Sequence, residues 1–304
     1  MGKATRIKQQ NAREKIAAQR AAARRADVRN RVLIAGGSVV AVLAIVLALI
    51  LVKAFNKPGS SGSGSGGVTG TALSASAARD VTSVPASTLN TVGIGSVPNF
   101  MASGEGGAPP ITKISDTPLT SGGKPEMLYI GAEFCPFCAA ERWAMAIALS
   151  RFGTLSPLRG IHSSGSDTDP NTPTLTFYQS TYTSPYLVFT PIENETVTHA
   201  TLQNPTSAQM ALWQKYDSSG NGLGYPFIDF GNKYVIKLPS YDPGVLAGLT
   251  WSQVAAALHS PSSPVAQGAD GAANLITAAI CKMTNGQPGS VCTAPGVVTA
   301  SKSL

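Results

Sequence analysis

The longest apolar run of the chain lies near its N-terminus, and shorter apolar segments separated by polar loops follow much later. Residues 32–52 contain no charged side chain. As a helix they would span about 31 Å, which matches a hydrocarbon core of roughly 30 Å. A buried helix of a globular domain is the alternative, but such a helix rarely stays apolar on every face. The pattern therefore predicts a single transmembrane helix at 32–52.

After this span the amino-acid composition of the chain changes twice. Residues 53–80 are rich in glycine and serine and predict a flexible linker. Residues 81–110 form a lead-in segment, in which a weak apolar pattern at 81–100 is consistent with an amphipathic helix or a lid. From residue 111 to residue 298 the apolar segments recur regularly, which predicts a globular domain.

Within the globular part, apolar periodicity and turn residues predict alternating strands and helices. This order is typical of an α/β domain. The predicted strands cover 126–132, 158–163, 175–178, 186–190 and 195–200, with a hairpin formed by 226–230 and 233–238 around a two-residue loop, Gly231-Asn232; the predicted helices cover 139–152, 207–216, 250–258 and 272–283.

Charge is distributed very unevenly. The chain carries a net charge of +7, but residues 1–31 alone hold ten Lys/Arg against two acids. A basic flank on this side places 1–31 in the cytoplasm and the remainder outside. A cleavable signal peptide is the alternative, but the apolar run is long and no convincing cleavage site follows it. No aromatic residue interleaves the basic ones, so we expect contact with the anionic membrane surface and no nucleic-acid partner.

The four cysteines are the main candidates for chemistry. Cys135 and Cys138 are three residues apart, where a predicted strand ends and a helix begins. With Pro136 in the first helical turn, Cys135 lies at the positive end of the helix dipole, which favours its thiolate. We therefore expect Cys135 to be an exposed nucleophile and Cys138 to be the shielded thiol that resolves a mixed disulfide.

A zinc site is the competing interpretation of two cysteines at this spacing. Structural zinc needs about four ligands, commonly a second such pair or two histidines. The other cysteines are eleven residues apart, and the three histidines, His162, His199 and His259, are not paired in the sequence. We expect neither a metal nor a cofactor.

Two motifs resemble the thioredoxin superfamily. Residues 128–138, LYIGAEFCPFC, resemble the active-site entry of that superfamily, and residues 224–232, GYPFIDFGN, resemble its cis-proline loop and following hairpin. The resemblance implies that Pro226 is cis and packs beside Cys135. It also implies that the Tyr225 backbone, together with Pro136 and Phe137, contacts the substrate.

Over residues 83–295 the chain also resembles a family known only as "domain of unknown function 929". The expected fold is α/β: a thioredoxin-like sheet flanked by helices, with an insertion at 163–216, on a single N-terminal transmembrane helix. One departure concerns the buried carboxylate of thioredoxins, since Tyr129 takes its place. Glu133 is then the nearest proton acceptor for Cys138, unless it is a solvated loop acid. Arg142 either adds positive potential or is an ordinary surface residue.

Cys281 and Cys292 flank a short, turn-rich loop. We expect them to form a structural disulfide, which stabilises such a loop by about 2–3 kcal/mol. The alternative is an electron relay to Cys135 and Cys138, which requires this loop to approach them.

These observations predict a single-pass cell-membrane protein with an extracytoplasmic thiol–disulfide oxidoreductase domain. Its partners would be thiols or disulfides of exported proteins and a redox partner in the membrane. The alternative function is a non-catalytic cell-surface interaction domain in which the disulfides are structural. The sequence leaves open whether the enzyme would oxidise, reduce or isomerise its substrates.

Overall fold

The computed structural model describes residues 69–98, 111–217 and 223–304. Within these three ranges no helix combines the length and the apolar character that crossing a membrane requires. The predicted span at 32–52 and the basic segment at 1–31 lie outside the described residues, as does most of the linker. The anchor and its orientation therefore stay predictions.

The described chain is a mixed α/β structure, as predicted. Its eleven strands are β1 (Thr71–Ala72), β2 (Ile111–Lys113), β3 (Thr120–Ser121), β4 (Lys124–Gly131), β5 (Thr154–Ser156), β6 (Arg159–His162), β7 (Pro173–Thr176), β8 (Thr181–Thr183), β9 (Val188–Glu193), β10 (Phe227–Phe230) and β11 (Tyr234–Ile236). Its eight α-helices are α1 (Ala75–Thr82), α2 (Ala86–Val92), α3 (Pro136–Ser150), α4 (Ser207–Asp217), α5 (Trp251–Ala257), α6 (Pro264–Met283), α7 (Gly289–Cys292) and α8 (Pro295–Ala300), and two 3₁₀ turns cover Pro243–Leu246 and Ser301–Ser303.

Strand β4 lies at the centre of the main sheet. It pairs in parallel with β9 on one side and antiparallel with β10 on the other. β10 continues antiparallel to β11, and β11 to β2, so the order is β2-β11-β10-β4-β9. The short strand β3 also pairs antiparallel with the start of β4. The last five residues of β4 are all buried. Their unbroken apolar character, rather than an alternation, fits a strand covered on both faces.

Helix α3 follows β4 directly and is buried on nearly every face. It packs against α6, α1 and β7 in the large hydrophobic core. Trp143 lies fully inside this core and donates its indole N–H to the Pro173 carbonyl at 2.9 Å. A helix that is apolar all round is stable only when it is surrounded by protein. The Cys-Pro-Phe-Cys end of α3 is therefore held on a rigid element.

The hairpin differs from its prediction. Phe230 pairs with Tyr234, so the loop contains three residues rather than two. Gly231 and Asn232 both have positive φ, at 64° and 57°. The Lys233 N–H closes the turn on the Phe230 carbonyl at 3.1 Å. Glycine and asparagine tolerate this left-handed conformation best, which explains their place here.

Three other predicted elements have different bounds or do not form. The predicted strand at 195–200 is wrong, because only an isolated bridge joins Glu195 to Thr201. The predicted helix at 81–100 is replaced by the short helices α1 and α2. The predicted helix at 272–283 is the second half of α6, which already begins at Pro264 with Ser263 as its side-chain cap.

Two smaller sheets lie outside the main sheet. Strands β1, β6 and β7 form a three-stranded sheet, and β5 pairs with β8. Strands β5 to β8 all lie between α3 and β9 along the chain, and β9 belongs to the main sheet. The insertion expected at 163–216 stays a prediction.

Candidate active site around a cysteine pair

Cys135 occupies the junction between the sheet and helix α3. It is the N-cap residue, with φ −74° and ψ 121°, and Pro136 follows in the first turn. Its Sγ accepts the backbone N–H of Cys138 at 3.3 Å, as the oxygen of a capping serine would. The local sequence therefore orients one sulfur toward the unpaired N–H groups of the helix start.

The loop before β10 meets this sulfur from the other side. The Tyr225–Pro226 peptide bond is cis, as the resemblance implied. The Cys135 thiol points to the Tyr225 carbonyl oxygen at 3.9 Å. Cys135, Cys138 and Tyr225 belong to one small apolar cluster, which also contains Phe134 and Phe137. The structure thus brings Cys135, Cys138, Phe137 and Tyr225 together.

The expectation that Cys135 is exposed is wrong. Only 4 % of its surface is accessible, and none of the surface of Cys138. The physical reason is aromatic packing, since the half-buried rings of Phe134, Phe137 and Tyr225 pack against the pair. Both cysteines are free thiols.

The two thiols differ in acidity. Burial acts to raise the pKa of Cys135, but the hydrogen bonds from the thiol and backbone of Cys138, with the charge of Arg142, outweigh it, so this pKa is lowered. Burial raises the pKa of Cys138 well above its usual value, and the neighbouring Cys135 sulfur raises it further. Cys135 is therefore the sulfur that ionises first.

Arg142 is a site residue that the sequence interpretation placed mainly on the surface. Its side chain is fully buried and forms a two-pronged ion pair with Glu193, Nε to Oε1 at 2.9 Å and Nη2 to Oε2 at 2.6 Å. Nη2 also donates to the Ala132 carbonyl at 2.7 Å. The same carbonyl accepts the Cys135 N–H at 3.2 Å, so the guanidinium and the cysteine loop share an acceptor.

The carboxylate of Glu133 is bound to hydroxyls from two other segments of the chain. It is buried rather than solvated, and its Oε1 accepts the hydroxyls of Thr69 at 2.6 Å and Thr176 at 2.7 Å. Burial raises its pKa. The ionisable groups that act on Cys138 are Cys135 and Arg142. Tyr129 is a further neighbour, since burial and then the charge of Cys138 raise its pKa well above its usual value.

A family model described as a domain of unknown function, DUF929, matches residues 110–282. This is more than half of the 304-residue chain. The chain belongs to this family. No curated protein and no solved structure matches the chain. The matched part of the DUF929 domain contains Cys135, Cys138, Arg142, Glu193 and Tyr225.

Cys281 and Cys292 form a disulfide with a Cα–Cα distance of 5.6 Å. It joins the end of α6 to α7 and packs in the large core, whereas Cys135 and Cys138 belong to a separate cluster. This placement favours the structural role over the relay. In the described part of the DUF929 domain, no group of three or more His, Cys, Asp or Glu side chains is arranged to hold a metal ion.

Glu193 was missed by the sequence interpretation, and Arg142 was considered there but placed mainly on the surface. Arg142 lies one turn after Cys138, and this spacing was the available signal for its contribution. Nothing in the pattern pointed to Glu193, which is 51 positions further along the chain. Only the parallel pairing of β4 with β9, which sets Gly131 opposite Glu193, brings that carboxylate to the cysteine loop.

Proposed function

We propose that this DUF929 protein is a membrane-tethered thiol–disulfide oxidoreductase that uses Cys135 and Cys138. The proposal rests mainly on the position of Cys135 Sγ at the start of α3, where it accepts the Cys138 N–H at 3.3 Å. A sulfur at a helix N-terminus is stabilised as thiolate, which is the reactive form in disulfide exchange.

The chemistry follows from the different acidities of the two sulfurs. The Cys135 thiolate attacks one sulfur of a partner disulfide, a mixed disulfide forms, and the other partner sulfur leaves as thiolate. That thiolate takes the proton of Cys138, whose sulfur then attacks Cys135 and releases the second partner sulfur. The Cys135–Cys138 disulfide has formed, and two electrons have passed to the partner. The reverse sequence oxidises a partner dithiol.

The chain order supports a thioredoxin-like fold for the domain. β4, α3 and β9 form a parallel β–α–β unit, and the antiparallel hairpin β10–β11 joins the other side of β4. The order β9-β4-β10-β11, with the cysteine pair at the end of the central strand, is that expected for a thioredoxin-like sheet. Tyr225 lies directly before β10, which accounts for its position beside Cys135.

The predicted span at 32–52 would hold this domain outside the cytoplasm. There, disulfides persist, and thiols or disulfides of exported proteins are the accessible substrates. A redox partner in the membrane would restore the cysteine pair after each turnover. This part of the proposal rests on the sequence pattern.

One observation favours the alternative of a non-catalytic interaction domain, namely the 4 % accessibility of Cys135. A partner disulfide has to displace the rings that pack against this sulfur before it is attacked. If these rings cannot move aside, Cys135 and Cys138 are unreactive parts of the core.

A redox titration separates the two functions. The full-length chain in detergent is equilibrated with glutathione buffers, and the Cys135–Cys138 state is read by mass after thiol alkylation. We expect a midpoint between about −120 and −270 mV, whereas structural disulfides fall below about −300 mV. The Cys281–Cys292 disulfide in the same molecule is the internal reference.

A trapping experiment tests the same proposal through its partners. Cys138→Ala should accumulate covalent complexes through Cys135 that dithiothreitol releases, because the resolving sulfur is gone. Cys135→Ala is the matched control and should trap none. No complexes with Cys138→Ala, together with a midpoint below about −300 mV, would establish the non-catalytic alternative.

A further inference from the structure

The guanidinium of Arg142 is paired on only part of its surface. Nε and Nη2 are bound to Glu193 and Ala132, but Nη1 has no hydrogen-bond partner among the residues that the structure describes, although it is buried. Unpaired buried donors are rare, because each costs about 1–3 kcal/mol. Cys138 precedes Arg142 by four residues in α3 and therefore lies on the same helix face, at an expected Cβ separation of about 6 Å.

A second unpaired donor lies at the same place. The hydroxyl of Tyr129 is fully buried and has no hydrogen-bond partner within the described ranges. It approaches the Gly131 backbone so closely that a Cβ there would lie 2.0 Å from the oxygen. The Arg142 guanidinium carbon lies 6.0 Å from the centroid of the Tyr129 ring. Burial raises the pKa of this tyrosine most, and the charge of Cys138 raises it further, so the hydroxyl and the sulfur are electrostatic neighbours.

We propose that Arg142, held in place by Glu193, is a positioning residue that stabilises the Cys138 thiolate during resolution, with Tyr129 as a neutral second donor. The need for such a group follows from burial, because an ionised sulfur with no accessible surface is strongly disfavoured unless a positive charge or donors face it. Nη1 and the Tyr129 hydroxyl are donors that the ground state leaves unused.

The ion pair explains how the positive charge persists in the interior. Burial by itself lowers the pKa of Arg142, but the Glu193 carboxylate outweighs this effect and raises it. Arg142 therefore stays protonated and cannot act as the base. It changes the free energy of the Cys138 thiolate without accepting its proton. Besides Arg142 and Glu193 themselves, the titratable groups that interact with this ion pair or with Cys138 are Cys135, Tyr129 on β4, Glu133 after β4, and Tyr225 before β10.

The role of this pair depends on the proposed redox function, but its test does not require activity. In a Cys135→Ala background, Cys138 is the remaining free thiol, and its ionisation is followed by ultraviolet thiolate absorbance against pH. The Cys135→Ala/Cys138→Ala chain supplies the blank that subtracts the tyrosines. All variants are measured in the full-length chain in detergent.

Two sets of substitutions at the Arg142–Glu193 ion pair should change the Cys138 thiolate fraction in opposite directions. Arg142→Met combined with Glu193→Gln removes both charges together, so no unpaired charge is left behind. We expect the Cys138 thiolate fraction at a given pH to fall by about threefold to tenfold, because Arg142 acts on this sulfur more strongly than Glu193 does and the loss of the carboxylate offsets part of the effect. Glu193→Gln alone leaves Arg142 unneutralised and should increase the thiolate fraction.

Conservative variants distinguish this role from packing alone. Arg142→Lys keeps the charge and should retain most of the thiolate fraction, whereas Tyr129→Phe removes one donor and should lower it by less than the double change does. The inference is overturned if the double change leaves the titration within twofold of the parent, or if Glu193→Gln shifts it in the same direction. If the double variant does not fold, the sign of the Glu193→Gln shift alone decides.

Failure of this inference and failure of the proposed function give different results. A redox midpoint below about −300 mV with the expected titration shifts would leave the electrostatic role intact and remove the oxidoreductase. Normal trapping through Cys135 without any titration shift would support the oxidoreductase and overturn the electrostatic role of Arg142.

Discussion

Asp270 is a carboxylic acid in the interior of helix α6. It has no accessible surface, and neither of its oxygens has a hydrogen-bond partner among the described residues. Burial raises its pKa from 3.8 to about 8. In the unfolded chain the carboxyl ionises near 3.8, whereas the folded protein keeps the proton until about pH 8. Between these values the unfolded state binds fewer protons, so the free energy of unfolding falls as the pH rises.

The magnitude follows from the same numbers. Each pH unit between the two pKa values changes the free energy of unfolding by about 1.4 kcal/mol, so at pH 7 Asp270 costs about 4 kcal/mol of stability relative to pH 4. Asp270→Asn keeps the shape of the protonated acid but cannot ionise. We expect this change to stabilise the protein by about 4 kcal/mol at pH 7 and to have almost no effect at pH 4.

The assay is urea unfolding of the full-length chain in detergent at several pH values between about 4 and 7. Tryptophan fluorescence reports it well, because Trp143 and Trp213 are buried. The control is Asp116→Asn. Asp116 is exposed, and its hydrogen bond with Lys215 lowers its pKa to about 2, so this change should have a small effect that is constant across the range. An equal gain for Asp270→Asn at every pH would refute the ionisation argument.

Three further changes test the packing of the domain. Gly131→Ala places a methyl group about 2 Å from the Tyr129 hydroxyl and should lower the free energy of unfolding by about 1–3 kcal/mol in the same urea assay; an unchanged midpoint would contradict that contact. Replacing Cys281 and Cys292 by alanine should cost about 2–3 kcal/mol but leave the alkylation rate of Cys135 unaltered, whereas a changed rate would favour a relay. Thr250→Ala removes the side-chain cap of α5 and should cost about 1 kcal/mol, while Thr250→Ser should restore most of it.

Elements with strong local signals could be predicted from the sequence. The buried strand β4 and the helix α3 were expected close to their observed bounds, because an unbroken apolar run and helical spacing are properties of neighbouring residues. The helix predicted at 250–258 is α5, and the side chain of Thr250 caps it by accepting a backbone N–H. Capping depends on only four consecutive residues, which makes it readable locally.

Elements whose signals are ambiguous could not be predicted. The first half of α6 contains Gly268 and Gly271, which lower helix propensity, so the prediction began too late. Gly271 is nevertheless favourable there, because a Cβ would lie 2.5 Å from the Ile94 carbonyl of the segment packed against it. Close packing between distant segments overrides local propensity in this case.

The cysteine site also has features that could be predicted from the sequence and features that could not. The order of Cys135, Pro136 and Cys138 was enough to predict which sulfur caps the helix and ionises first, because helix capping and the helix dipole act within one turn. The exposure of Cys135 was predicted wrongly, since the packed ring of Tyr225 comes from a residue 90 positions later in the chain.

The order of residues around the cysteines is enough to specify the local chemistry: a thiol pair at a strand–helix junction, with one sulfur favoured as thiolate. The groups that surround this pair depend on the fold. The parallel pairing of β4 with β9 places Glu193 beside Arg142. The antiparallel pairing of β4 with β10 places Tyr225 beside Cys135. Electrostatic and packing interactions depend on distance in space, and distance along the chain does not specify it.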